Sequence, residues 1–212
     1  MVVPSPPFPP GAPTPAPELS KDSLRNAALA ARKAYVALLS DAQRATLEAR
    51  LARRLTALCA DAVVVGGYSS MGSEISVQMA MEEARAVGAI VAFPAFDDPA
   101  KPFVFRAGDP VTGGPFGILQ PDKSAPVVEP DLILVPLIAV DGRGTRLGRG
   151  KGHYDRTLGR LRRGGARLVG IGWSVQRLAD TIPADDWDVP LDGFASPDKL
   201  EWFRKSARAE AR

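Results

Sequence analysis

The sequence predicts an α/β fold: a single domain of three layers, α/β/α, with helices on both faces of a mainly parallel central sheet. Short continuous apolar runs at 62–65, 89–93, 132–140 and 168–173 suit strands buried on both faces. The stretches between them place apolar residues at three- and four-residue steps, the period of helices, and that alternation defines the class. At 212 residues the chain is long enough to bury a sizeable core but gives no support for a second domain.

Bulk properties exclude several function classes. The 27 Lys and Arg stand against 24 Asp and Glu, a net +3 without a basic stripe, so no nucleic-acid partner is expected. The one cysteine, Cys59, excludes an intramolecular disulfide and, among Leu55, Leu58 and Val63, reads as a small buried hydrophobe. No apolar run reaches the roughly 18 residues of a membrane span, and the N-terminus has neither a basic nor an apolar signal region. A cytoplasmic protein without a membrane partner is expected.

Residues 1–17 hold eight prolines, which remove backbone donors and predict an extended, disordered tail. Ser20 then opens a helix through Leu24, Ala28, Ala31, Tyr35 and Leu38. Lys21 and Arg25 sit on its first turns, where cations oppose the helix dipole. They are either an ordinary solvated face or the partners of something negative. Ser40 and Gln43 form a capping box for a second helix through Leu47, Leu51, Leu55 and Leu58.

The strand at 62–65 ends at Gly66 and Gly67, so the stretch from Tyr68 to Ile75 lies at the sheet's carboxyl end. It leads into a helix carrying Ile75, Met79 and Ala86 that stops at Gly88. On that reading Glu74 is a first-turn acid complementing the dipole, or a pocket carboxylate. The strand at 89–93 is closed by Pro94, and 103–105 and 113–121 are a hairpin or a cover. Arg160, Arg162, Arg163 and Arg167 cluster at a helix C-terminus, where cations suit the dipole; an acidic ligand tail is a second use for them.

Chemistry concentrates at 144–156. Glycines at 144, 148, 150 and 152 alternate with Arg146, Arg149 and Lys151, after an apolar run and before a helix bearing Tyr154, Leu158 and Leu161. A glycine loop between strand and helix N-terminus favours an anion, most naturally a polyphosphate; a basic turn without a ligand is the alternative. Neither common phosphate loop fits. Gly152 follows Lys151 where a Walker A loop needs a hydroxyl, and His153 stands where the dinucleotide fingerprint needs glycine.

Arg146, Leu147, Gly148, Gly150, Gly152, Tyr154 and Asp155 resemble the signature Arg-Leu-Gly-x-Gly-x-Gly-Tyr-Tyr-Asp of the 5-formyltetrahydrofolate cyclo-ligase family, with His153 replacing the first tyrosine. The resemblance covers about residues 20–193, with 18–198 as the catalytic domain and 199–212 as a basic C-terminal tail. It implies ATP-dependent closure of 5-formyltetrahydrofolate to 5,10-methenyltetrahydrofolate, with a polyglutamate tail on the folate as the acidic partner open to the arginine cluster; a monomer is expected. It implies ATP contacts at Lys21, Arg25 and 146–154, that is Arg146, Leu147, Gly148, Arg149, Gly150, Lys151, Gly152, His153 and Tyr154. Folate contacts fall on Ser69, Glu74 and 149–153, catalytic roles on Arg149 and Lys151, and Mg²⁺ contacts on Asp155 and, aligned from Pro183, on Asp188.

Two other functions stay open: a related enzyme acting on another N-acyl or carboxylate substrate, and a folate- or nucleotide-binding regulator without turnover. The 68–75 segment argues against the first, since ATP binding alone does not require it. Lys21, Arg25, Glu74 and Asp155 together argue against the second, since a binding module need not keep both halves of a reaction.

Overall fold

Two serines set the first helices. In the computed structural model, which describes residues 20–98, 101–150 and 152–203, Ser20 caps α1 (Lys21–Ala37) by accepting from the Ser23 amide. Ser40 and Gln43 form the expected capping box at the start of α2 (Asp41–Ala60). The chain continues through β1 (Val64–Gly66), α3 (Gln78–Ala86), β2 (Ile90–Ala95) and β3 (Val104–Ala107). A small hairpin of β4 (Thr112–Gly113) and β5 (Leu119–Gln120) precedes β6 (Val127–Val128) and β7 (Leu132–Pro136). A second hairpin of β8 (Ala139–Val140) and β9 (Arg146–Leu147) leads to α4 (His153–Arg163) and β10 (Arg167–Ile171). β11 (Gly193–Ala195) and β12 (Leu200–Trp202) follow.

The central sheet runs β12-β11-β10-β7-β1-β2-β3-β6. Its inner strands from β11 to β2 are parallel, and the antiparallel pairs lie toward the two edges. Pleating divides β7 between two layers: Leu132 and Leu134 pack in the cluster of Leu55 and Met81, from α2 and α3, while Ile133 and Val135 pack with Leu158 and Leu161 of α4. All four β7 side chains are fully buried, worth about 1.5–3 kcal/mol each. The three-layer α/β arrangement is therefore the one the apolar runs predict. Among the described residues no helix is long and apolar enough to cross a membrane.

Five expectations change. The apolar run at 132–140 is not one strand, because Pro136 ends β7 and the Leu137 carbonyl accepts from the side chains of Arg32 and Gln176 instead of a neighbouring strand. Buried Asp141 then accepts from the amides of Arg143, Thr145 and Ile182, which folds the chain back into β9. Gly144 belongs to that turn, not to the loop before α4: its φ is +81°, and a Cβ there would lie 2.5 Å from the Leu191 carbonyl oxygen. The helix expected from Ile75 starts at Gln78, since the Ile75 carbonyl accepts from the Tyr68 hydroxyl and the Ser76 amide donates to Glu48.

Pro94 lies inside β2, because β1 pairs only as far as Ala92 and the proline faces β3 alone. Leu200–Trp202 pairs antiparallel with β11, so these three residues belong to the sheet and not to a tail. The proline-rich segment 1–17, Lys151 and the stretch from 204 lie outside the described residues.

Candidate active site

Successive crossovers decide where a cleft opens. β1 connects through α3 to β2 on one side of it, whereas β7, on its other side, connects through α4 to β10. Right-handed crossovers running in opposite directions put α3 and α4 on opposite faces, and the loops after β1 and β7 diverge. A cleft of about 630 Å³ lies there, lined by every described residue that the sequence nominated: Ser69 and Glu74, residues 146–150 and 152–155, Lys21 and Arg25 of α1, and Asp188.

The wall after β1 is braced from three sides. The Tyr68 hydroxyl donates to the Ile75 carbonyl at 2.7 Å, Trp173 Nε1 donates to the Ser73 carbonyl at 3.0 Å, and Arg44 donates to the Glu74 carbonyl at 2.7 Å. Ser69 Oγ donates to the Leu119 carbonyl, so the β4–β5 hairpin serves as the expected cover. Held this way, Glu74 is only 9% exposed. Its Oε2 accepts from the Met71 amide at 2.9 Å, and its Oε1 accepts from Arg149 at 2.9 Å. Because α3 begins four residues later, Glu74 is not a first-turn acid; it is a pocket carboxylate.

Behind it stands Arg32, 2% exposed, with NH1 3.9 Å from Glu74 Oε1. Burial lowers the Arg32 pKa; the Glu74 charge opposes that shift and the like charge of Arg149 adds to it. Burial also pushes the Tyr68 phenol far up, Glu74 adding to it, so Tyr68 remains a neutral donor.

The opposite wall is the glycine loop. Arg25 Nε donates to the Gly148 carbonyl at 2.8 Å, tying α1 to the loop's start. Gly150 at φ +83° and Gly152 at φ +64° carry the backbone into α4, which opens without a side-chain cap. A helix N-terminus of this kind favours an anion. His153 keeps an aromatic contact, edge-on to Phe96 at 5.4 Å, and Tyr154 packs on Phe103 at 5.0 Å with its phenol pushed well up by burial.

Arg146 departs from its expected role. It reaches the cleft wall, but its buried guanidinium is committed to Asp155 Oδ1 at 2.5 Å and to the Val189 carbonyl. Burial lowers its pKa while Asp155 opposes the shift. It is a strut joining β9, α4 and the 189 segment, not an exposed grip.

The cations at the start of α1 do have a negative partner. Lys21 Nζ lies 2.5 Å from Asp185 Oδ2 and 2.6 Å from Asp188 Oδ2. Burial pulls the Lys21 pKa down, but the two hydrogen-bonded carboxylates outweigh it and leave it raised. Asp155, Asp185 and Asp188 thus bring hard oxygen donors to one end of the cleft. Among the described residues no three His, Cys, Asp or Glu form a metal cage. The donor set fits Mg²⁺, which takes one or two carboxylates and completes its shell with phosphate oxygens.

Two other sequence features lie elsewhere. Arg160 and Arg162 pair with Glu129 and Asp192 near the far end of α4, roughly 10–15 Å from its first turn, which favours the helix-end reading over a ligand tail. Buried Cys59 has its thiol pushed up to about 11 by burial, with Glu83 adding, so it is not a reactive thiol.

The model of the 5-formyltetrahydrofolate cyclo-ligase family matches residues 17–197. The chain belongs to this family. The 5-formyltetrahydrofolate cyclo-ligase of Haemophilus influenzae is 30% identical over 132 residues, 58% of this chain and 70% of that one. Its counterpart from Mycolicibacterium smegmatis is 29% identical over 189 residues, covering 84% and 94%. The NMR structure of Aquifex aeolicus 5,10-methenyltetrahydrofolate synthetase superposes with a TM-score of 0.73 at 27% identity, covering 88% of this chain and 94% of that one.

The cyclo-ligase motif alone does not reveal three residues in or behind the cleft wall. Arg32 follows Ala28 by four residues on the apolar stripe of α1, and a cation at that position is a legible signal of a buried partner. Asp185 and Trp187 carry no periodic signal. Trp187 is 72% exposed at the rim, and Asp185 becomes recognisable only once α1 presents Lys21 to it.

Proposed function

We infer that this chain closes 5-formyltetrahydrofolate to 5,10-methenyltetrahydrofolate at the expense of ATP, releasing ADP and phosphate. The contact between Glu74 and Arg149 carries the reading, because it joins a carboxylate pocket to an anion loop within one cleft. A pterin offers a 2-amino group and a ring N–H as a donor fork, and the braced Glu74 carboxylate suits it, with Ser69 beside it. Across the cleft, the loop amides of 148–152, with Arg149, Lys151, Lys21 and Arg25, would hold the triphosphate.

The chemistry explains why these groups must meet. A formamide carbon is a poor electrophile and its oxygen a poor leaving group. Transfer of the γ-phosphoryl breaks its bond to ADP and forms a bond to the formyl oxygen. N10 then attacks the formyl carbon and loses its proton, and the carbon–oxygen bond breaks as phosphate departs. The chain's residues orient the pterin at Glu74 and neutralise charge around the transferring group through Arg149 and Lys151. Mg²⁺, held through Asp155 and Asp188, would supply further charge neutralisation at the phosphates.

The test is direct. Purified protein with 5-formyltetrahydrofolate, ATP and Mg²⁺ is expected to develop methenyltetrahydrofolate absorbance, and omission of the nucleotide to abolish it. An unchanged spectrum with both substrates present contradicts the reading.

A further inference from the structure

Glu74 is approached by two arginines of opposite character. Arg32 is 2% exposed, and its guanidinium is fixed by the Ser73 hydroxyl at 3.1 Å and the Leu137 carbonyl at 3.2 Å, leaving NH1 3.9 Å from Oε1. The Arg149 side chain is 55% exposed, rises from the glycine loop, and reaches the same Oε1 at 2.9 Å. One oxygen therefore serves a fixed cation and an exchangeable one.

The other oxygen, Oε2, already accepts from the Met71 amide. A donor fork arriving at Glu74 must compete for Oε1, and the half-exposed arginine is the partner that can yield. Its departure removes a like charge from beside Arg32, while Arg32 stays 3.9 Å from Oε1 as a fixed counter-charge. The displaced guanidinium is tethered between Gly148 and Gly150, on the loop next to the N-terminus of α4. An anion at that N-terminus is its nearest alternative.

We propose that Arg149 passes from Glu74 to the nucleotide's terminal phosphate when the pterin takes Glu74, so that the two substrates bind synergistically. The proposal rests on the cleft assignment made above and adds an energetic link between its halves. Nucleotide arriving alone meets an arginine already engaged, and nucleotide arriving after folate meets one released.

Calorimetric titration of the full chain with a non-hydrolysable ATP analogue and Mg²⁺, with and without saturating 5-formyltetrahydrofolate, reads the coupling. The analogue is expected to bind about tenfold tighter in the presence of folate, with the same factor for folate in the presence of analogue. In Arg149→Ala that factor is expected to fall below about twofold, while folate alone binds at least as tightly as to the unaltered chain, since no ion pair has to be broken. Arg149→Lys, which keeps the charge without the bidentate fork, is expected to retain part of the coupling. Full coupling in Arg149→Ala, or folate binding alone weakened there, overturns the hand-over. Independent binding of both ligands to the unaltered chain overturns the hand-over but leaves the function standing; binding of neither overturns the function as well.

Discussion

The two ends of the cleft are built by opposite means. At the Glu74 end, tertiary hydrogen bonds from Tyr68, Trp173, Arg44 and Arg32 fix an irregular loop around a nearly buried carboxylate. At the loop end, Lys21 binds Asp185 and Asp188, Arg25 binds a loop carbonyl, and a half-exposed Arg149 reaches across to Glu74. The first end selects a shape, because the loop around the carboxylate and the Arg32 behind it are held before a ligand arrives. The second can exchange partners, because Arg149 is half-exposed and ion pairs open to water are worth only about 0.2–1 kcal/mol. Substitutions at the two ends should therefore divide between stability and turnover.

The largest separation is expected from Arg149→Ala. Turnover should fall on the order of 10²- to 10³-fold, as when one preorganised charge donor is removed, while unfolding free energy changes by about 0.5 kcal/mol or less. Steady-state kinetics and a denaturant melt check both, and a melting loss comparable to the kinetic one breaks the comparison. Arg32→Met should act the other way, costing about 1–3 kcal/mol of stability by stripping partners from buried oxygens and raising the folate KM more than the ATP KM. An Arg32→Met variant as stable as the parent contradicts the claim that this end is held by packing.

Two glycines of one motif sharpen the contrast. Gly144→Ala places a Cβ against the Leu191 carbonyl in a left-handed turn and should lower the melting temperature while leaving the ATP KM alone. Gly150→Ala meets nothing closer than the Arg25 guanidinium at 3.6 Å, so its strain of roughly 1–2 kcal/mol should appear mainly as weaker nucleotide binding. The smallest effect is expected from Lys21→Met: a several-fold rise in ATP KM, with a stability change of about 1 kcal/mol or less.

Legibility in the sequence followed the same division. The buried parallel strands, the Ser20 cap and the Ser40–Gln43 box announce themselves because local chemistry decides them. The glycine loop is also local, and its motif names residues that do line the cleft. What stayed hidden is what tertiary partners decide. The β8–β9 hairpin depends on the buried Asp141 carboxylate, the late start of α3 depends on Tyr68 and Glu48, and the commitment of Arg146 depends on Asp155 nine residues away. Arg32 was within reach, as a cation on an apolar helical stripe; Asp185, in a segment without periodicity, was not.

The central claim is that the glycine loop directs ATP's terminal phosphoryl to the formyl oxygen of a pterin seated at Glu74. Mass spectrometry of the phosphate released from 5-formyltetrahydrofolate labelled with oxygen-18 in its formyl group tests it most directly. The account predicts one labelled oxygen in each inorganic phosphate. Unlabelled phosphate accompanying methenyltetrahydrofolate formation contradicts it.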